Sequence, residues 1–394
     1  MDAQQYIVML QDKHFFDLKK MEYKYSKTAV GEMLNLLELQ AVKELPLSDF
    51  ARQEKLRYLV PYASSSSGAA SALMRYRGSA SYGVQALTDE IISTLSIEQI
   101  HTSRKSIRTV LAGKAPANAM ENHIWGMKKG FEFITDKRNS INEETMRALY
   151  ELVVNPYLED QEDRLSADQL YREGAVSIVN ETKGKIIHSG APAGHIQAMM
   201  QELFDFLNQY TAIDDLAKAT VLHFFVAYVH PYYDGNGRMA RMLHLWYLLQ
   251  NGYSAALFLP FSSIIQENKA GYYKAFDLIS ANYEITGRYD ISPFLDYFNQ
   301  TVYAQIKAAP LCSDGLAEFQ IRLKNGEITA KEKELFYFVL SNYGAEEFST
   351  KQLERDFTNC AYATIRTFVL KLSDAGILEE HIYGNRKKYC LIVA

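Results

Sequence analysis

The twelve residues from His230 to Arg241, His-Pro-Tyr-Tyr-Asp-Gly-Asn-Gly-Arg-Met-Ala-Arg, constrain this chain more than any other stretch. They interrupt one helical pattern and open another. Upstream, Leu222, Phe225, Val226 and Val229 fall at i, i+3, i+4 and i+7, the apolar stripe of an amphipathic helix. Downstream, Met239, Met242, Leu243 and Trp246 repeat the spacing. Pro231 cannot continue the first helix and disfavours helical geometry at His230, so the imidazole is expected at the helix end. Gly235-Asn236-Gly237 then runs as a loop into the second helix.

That order of residues has a chemical reading. A helix start offers unpaired N–H groups and positive dipole, and glycines let an anion approach the backbone. Arg238 and Arg241, at i and i+3, leave the same side of the first turn and can fork onto phosphate oxygens. Asp234 stands between imidazole and loop, placed to hold a Mg²⁺ that bridges phosphates. The stretch describes a polyphosphate site with a base beside it. Gly-x-Gly-x-x-Ala also occurs here, but the dinucleotide fingerprint requires a preceding strand, and this segment is helical.

His230 to Arg241 resembles the signature of the Fic family, His-Pro-Phe-x-Asp/Glu-Gly-Asn-Gly-Arg-x-x-Arg, with Tyr232 in place of Phe. The exchange keeps an aromatic ring and adds a hydroxyl that needs a partner. The resemblance implies a mainly α fold, a helical core with a β-hairpin flap. It implies ATP as substrate, Mg²⁺ on Asp234, and His230 as general base. Gly235, Asn236, Gly237, Arg238 and Arg241 would take the nucleotide. Thr94-x-x-x-Glu98-Gln99 resembles the family's inhibitory motif Ser/Thr-x-x-x-Glu-Gly/Asn, on a helix read over about 88–101. By that likeness Glu98 pairs with Arg241 and takes the place of the γ-phosphate, with Thr94 as the regulatory partner. Gln99 departs from the motif.

Composition sets outer bounds. With 394 residues the chain can hold two or three domains. At 48% hydrophobic and 23% charged it reads as a soluble globular protein, and a formal net charge of -5 argues against a generic nucleic-acid coat. No stretch reaches the ~20 apolar residues of a membrane span, and the start lacks a signal-peptide pattern. Cys312, Cys360 and Cys390 are few and scattered, so a cytoplasmic, disulfide-free protein is expected.

Taken in order, Gln4 to about Tyr58 reads as helical, and Ala63–Ala72 with Gly78–Ser81 as a loop or hinge, giving an N-terminal region 1–85. By the same resemblance residues 86–310 are expected to form the Fic-type domain, with helices at 117–134, 143–154, 195–209 and 268–281. Alternation in Ala175–Val179 and Gly184–Ile187 around Asn180–Lys183 predicts a hairpin, the flap over about 175–188. In the family such a hairpin docks the target protein by strand addition, with Lys185 to His188, Ile187 and His188 included, lining target and nucleotide. Tyr272-Tyr273 resembles the pair beside the adenine, with Tyr273 the contact; plain packing is the other reading. Gly315–Gly326 marks a boundary. Residues 325–394 resemble a winged helix-turn-helix, with Thr364–Lys371 as reader and Arg386–Lys388 on the wing, for DNA or a protein partner. A second copy of the chain is also a candidate partner.

The function these readings imply is protein adenylylation: AMP moved from ATP to a Ser, Thr or Tyr hydroxyl, restrained by Glu98. An unperturbed imidazole near pH 7 suits the base role. Two alternatives stand. One is transfer of another phosphate-containing group, such as UMP, phosphocholine or phosphate. The other is a DNA-binding regulator that uses the Fic core as sensor.

Overall fold

The computed structural model describes residues 1–392 except 65–68, 71–72, 74–83, 181–184, 254–255, 258–259, 307–317, 320, 324, 344–346, 358–359 and 385. Most of the Ser/Gly-rich loop, the flap turn, Cys312 and part of the 315–326 boundary lie outside the described residues. The chain is mostly helical, with small two-stranded sheets. None of its described helices is long and apolar enough to cross a membrane.

Three helices, α1 (Ala3–Leu10), α2 (Leu18–Tyr25) and α3 (Lys27–Gln40), form an N-terminal layer around Met9, Met21 and Met33. The helical reading fails beyond Gln40. Strands β1 (Val42–Ser48) and β2 (Lys55–Leu59) pair there as an antiparallel hairpin. The reason is local: Leu45 and Leu47, then Leu56 and Tyr58, alternate inward at period two, and Pro46 is excluded from a helix interior.

The main core follows. Helices α4 (Val84–Ile97), α5 (Arg104–Leu111), α6 (Ala119–Thr135) and α7 (Glu143–Val153) lead to strands β3 (Ser177–Asn180) and β4 (Lys185–Ser189). Asn118 and Asn142 cap α6 and α7, each accepting a backbone N–H with its side chain. The strands pair antiparallel, Ser177 with Ser189 and Asn180 with Lys185, with an irregularity between Ile178 and Val179. Then come α8 (Ala193–Gln209), α9 (Asp215–Val229), α10 (Asn236–Gln250), α11 (Phe261–Glu267), α12 (Lys269–Thr286), α13 (Ser292–Tyr297) and α14 (Tyr303–Ile306).

Helices α9 and α10 pack along one another at the centre and are not the amphipathic helices their apolar stripes suggest. Lys218, Thr220, His223, Arg238, Arg241 and His244 are buried with the apolar residues. A helix covered on every side must satisfy its polar groups internally. Thus His223 Nε2 meets the Tyr272 hydroxyl at 2.9 Å, and His244 Nε2 meets Tyr303 at 3.1 Å.

The C-terminal unit has its own hydrophobic cluster. Helices α15 (Ala330–Asn342), α16 (Thr350–Phe357) and α17 (Tyr362–Asp374) precede an antiparallel hairpin, β5 (Leu378–Tyr383) and β6 (Arg386–Leu391). Phe348 exchanges backbone hydrogen bonds with Tyr389, which adds a short third strand segment beside β6. Helix α15 packs against α4, so this unit touches the helix that leads to Glu98.

Candidate active site

Helix α9 ends at Val229, and His230 takes a left-handed conformation (φ 55°) as its cap. Pro231 enforces that stop. The ring Nδ1 lies 3.2 Å from the Ala227 carbonyl and donates to it, which fixes the tautomer and leaves the Nε2 lone pair free. Burial lowers the His230 pKa to about 4, against the small upward pull of that hydrogen bond. The expected unperturbed imidazole is therefore not what the fold supplies. Here the ring is held neutral because its charged form would be poorly solvated.

Gly235, in the left-handed region (φ 78°), turns the chain into α10, and a Cβ there would strike Val154 Cγ1 at 2.5 Å. The Asn236 side chain is engaged elsewhere than on a ligand. Its Oδ1 accepts from Tyr232 N (2.9 Å) and its Nδ2 donates to Tyr232 O (2.8 Å), tying the loop shut. What Asn236 leaves for an anion is its backbone N–H at the helix start. Asp234 is half-exposed, and its Oδ2 accepts from Arg238 Nη2 at 2.9 Å.

The two arginines differ. Arg241 reaches α4, donating from Nε to Thr94 Oγ1 (2.7 Å) and from Nη2 to Thr94 O (3.1 Å) and Glu98 Oε1 (2.8 Å). The expected pairing of Glu98 with Arg241 is thus present. Burial pushes the Glu98 carboxyl up, but the charge and hydrogen bond of Arg241 outweigh it and hold the pKa below its ordinary value. Arg238 is only 1% exposed and does not line the cavity. Its Nε and Nη1 have no partner among the described residues. A buried guanidinium with unengaged donors is costly unless something completes it.

Helix α4 stops at Ile97, so Glu98 sits just beyond it and not within the expected 88–101 helix. Ile100 N returns to Leu95 O (2.9 Å), and Lys269 Nζ holds Ile97 O (2.8 Å). Gln99 takes φ 62° in that turn. A left-handed site suits Gly or Asn, and glutamine there is strained.

These groups meet in a cavity of about 350 Å³, whose wall includes Glu98, His188, His230, Asp234, Gly237, Arg241 and Tyr273. His188 is fixed on the wall by the bond between its Nε2 and Tyr228 O (2.7 Å), and burial lowers its pKa. Tyr273 is 43% exposed at the rim, while Tyr272 is buried against His223. Ile187 lies in β4; its side chain is outside the described ones.

Two residues escaped the sequence reading. Arg172, 2% exposed, donates from Nε to His230 O (2.7 Å), from Nη1 to Gly174 O (2.5 Å), and from Nη2 to Ala191 O (2.6 Å). It clamps the histidine's backbone to both ends of the flap. The Tyr233 hydroxyl accepts from Gly174 N at 2.9 Å and supports the same loop. Neither carries a local signal, because apart from Gly174 O for Arg172 their partners come from distant parts of the chain.

Residues 140–248 match the model of the Fic/DOC family. Among curated proteins, the chain is 28% identical over 115 residues to protein adenylyltransferase fic-1 of Caenorhabditis elegans, covering 29% of this chain and 20% of that protein. The Caenorhabditis briggsae fic-1 protein matches to the same extent. The match thus spans about a fifth of these relatives' length. Among solved structures, a Fic family protein from Desulfovibrio desulfuricans G20 aligns with TM-score 0.47 and 18% identity, over 78% of this chain and 87% of that one. A fragment of Fic-1 from C. elegans, residues 134–508, aligns with TM-score 0.41 and 21% identity, over 55% of this chain and 60% of that one. Residues 140–248, which carry the His230 to Arg241 stretch, are thus the part of this chain that is similar to the Fic/DOC family.

Proposed function

We propose that this protein is an adenylyltransferase that moves AMP from ATP to a hydroxyl of a target protein, and that Glu98 restrains it. The observation that carries this reading is the meeting of His230, Asp234, Gly237 and Arg241 on one cavity wall, with Glu98 on Arg241.

The phosphates would lie at the start of α10, over the backbone N–H groups of Gly235 to Gly237. Arg238, secluded from the cavity, would act through Asp234, whose Oδ2 accepts from its Nη2 at 2.9 Å. Asp234 fits as one ligand of a Mg²⁺, an ion that takes few protein carboxylates and keeps phosphate and water oxygens. When bound, the ion neutralises phosphate charge. His230 Nε2 takes the proton of a target Ser, Thr or Tyr hydroxyl held along the flap. That oxygen forms a bond to the α-phosphorus as the bond to the bridging oxygen breaks, and the electron pair leaves with pyrophosphate.

Glu98 opposes this by holding the guanidinium that a γ-phosphate would need. The carboxylate also repels phosphate charge at short range. Transfer of UMP, phosphocholine or phosphate on the same scaffold is separated by labelling with α-labelled and γ-labelled ATP side by side, then with other nucleotides. Label from the α position alone supports AMP transfer; label from the γ position alone replaces it with phosphorylation.

For the C-terminal unit we propose a winged-helix role in docking a protein. Lys387 pairs with Glu380, Lys388 with Glu347 and Lys371 with Glu332, so carboxylates are interspersed with the basic groups of wing and reader helix and weaken their pull on a phosphate backbone. An electrophoretic shift at low salt that weakens in Arg386→Ala would replace this with DNA binding.

A further inference from the structure

The C-terminal hairpin carries a set of groups that the transferase chemistry does not use. Glu379 and His381, two apart on β5, share one face of the strand. Cys390 on β6 lies directly across from Glu379, and His381 pairs with Lys388, so the imidazole and the thiol are diagonal neighbours. A carboxylate oxygen, a ring nitrogen and the Cys390 sulfur all fall within 4.8 Å of one another. His381 Nε2 is 3.4 Å from Glu379 Oε1.

The imidazole is also oriented from behind. Its Nδ1 lies 2.7 Å from Glu347 Oε1, a residue contributed by the segment beside β6. A proton on Nδ1 leaves the Nε2 lone pair on the side of Glu379 and Cys390. Carboxylate behind histidine is the usual support of a metal-bound imidazole, since it sets the tautomer and raises the ring's basicity. Tyr383 donates to the same Glu347 oxygen at 2.6 Å, and Lys388 reaches its other oxygen at 3.1 Å, so Glu347 is itself held in place.

We propose that Glu379, His381 and Cys390 form a zinc(II) site on this hairpin, with Glu347 as the residue that positions the imidazole. Sulfur, imidazole and carboxylate together match the ligand preferences of zinc, and three protein ligands leave a fourth position for water or a partner's group. Binding displaces the Cys390 proton, and the ion ties β5 to β6 through side chains on one face.

The test uses the full chain, stripped of metal, kept reduced, and titrated with Co²⁺. Thiolate bound to cobalt gives a sulfur-to-metal charge-transfer band. The band should saturate at one Co²⁺ per chain, be displaced by Zn²⁺, and be lost in Cys390→Ala and in His381→Ala. Glu347→Gln should weaken Zn²⁺ binding about 10- to 100-fold while leaving the ligand set intact. No band in the wild-type chain overturns the proposal. A band that survives Cys390→Ala or His381→Ala also overturns it, because the metal would then sit on other groups. His381 is partly exposed, so its substitution leaves the fold in place and carries the test if Cys390→Ala does not fold. The site lies in a hydrophobic unit separate from the nucleotide cavity, so its result is independent of the transferase reading.

Discussion

Glu98 and Gly237 face each other so closely that a Cβ on Gly237 would overlap the Glu98 Oε1 that bonds Arg241. The absence of a side chain at Gly237 therefore serves two purposes. In the proposed reading it lets an anion approach the start of α10, and it leaves that same space for the Glu98 carboxylate.

The turn that carries Glu98 is strained at Gln99, which adopts φ 62°. A non-glycine residue in this region costs about 1–2 kcal/mol. Gln99→Gly should relax the turn and hold Glu98 more firmly, so self-labelling by the otherwise wild-type chain should fall several-fold. A rise would show that the turn's strain does not loosen Glu98.

Arg172 holds the His230 carbonyl and both flap ends. In a Glu98→Gly background, Arg172→Lys keeps the charge but loses the fork. We expect kcat to drop about 100-fold through misplacement of the imidazole, with the KM for ATP little changed. Stability should fall by about 2–4 kcal/mol. Urea unfolding alongside kinetics separates the two effects; an unchanged kcat removes the positioning role.

Titration of buried histidines should govern acid sensitivity. His230 is lowered to about 4 and His244 to about 3, both by burial, against an unfolded value near 6.5. For a lowered histidine the unfolded chain binds the proton first. The stability is fully present above about pH 6.5, is lost as pH falls toward the folded values, and levels off below them. Denaturation midpoints measured from pH 7 to pH 5 should decline, and His244→Gln should flatten the slope. In Glu98→Gly, kcat/KM should keep its plateau well below pH 6; an acid limb near 6.5 would mean that His230 is not sheltered.

Tyr232 is fully buried, stacked on Tyr150 with ring centres 3.7 Å apart, and its hydroxyl has no partner among the described residues. Tyr232→Phe should leave labelling intact and raise stability by up to about 1–3 kcal/mol, the cost of an unsatisfied buried hydroxyl. A destabilised variant would reveal a hydrogen bond to bound water.

The parts legible in the sequence were those whose physics is local. The stop at Pro231, the turn at Gly235 and the flap's alternation each depend on a few adjacent residues. Glu98 and Arg241 lie 143 positions apart, and only the motif likeness joined them. Arg172 was illegible because most of its carbonyl partners, on Ala191, Val229 and His230, lie far along the chain. The lowered pKa of His230 and the seclusion of Arg238 both arise from tertiary burial, which no spacing records. The β1–β2 hairpin was the avoidable miss, since Leu45-Pro46-Leu47 already alternates.

The central claim is tested most directly by the initial rate of label transfer from α-labelled ATP with Mg²⁺, compared among three chains. A low rate is expected for wild type, a rate at least tenfold higher for Glu98→Gly, and none for Glu98→Gly combined with His230→Ala. Equal rates in the first two chains, or labelling that persists without the imidazole, would contradict it.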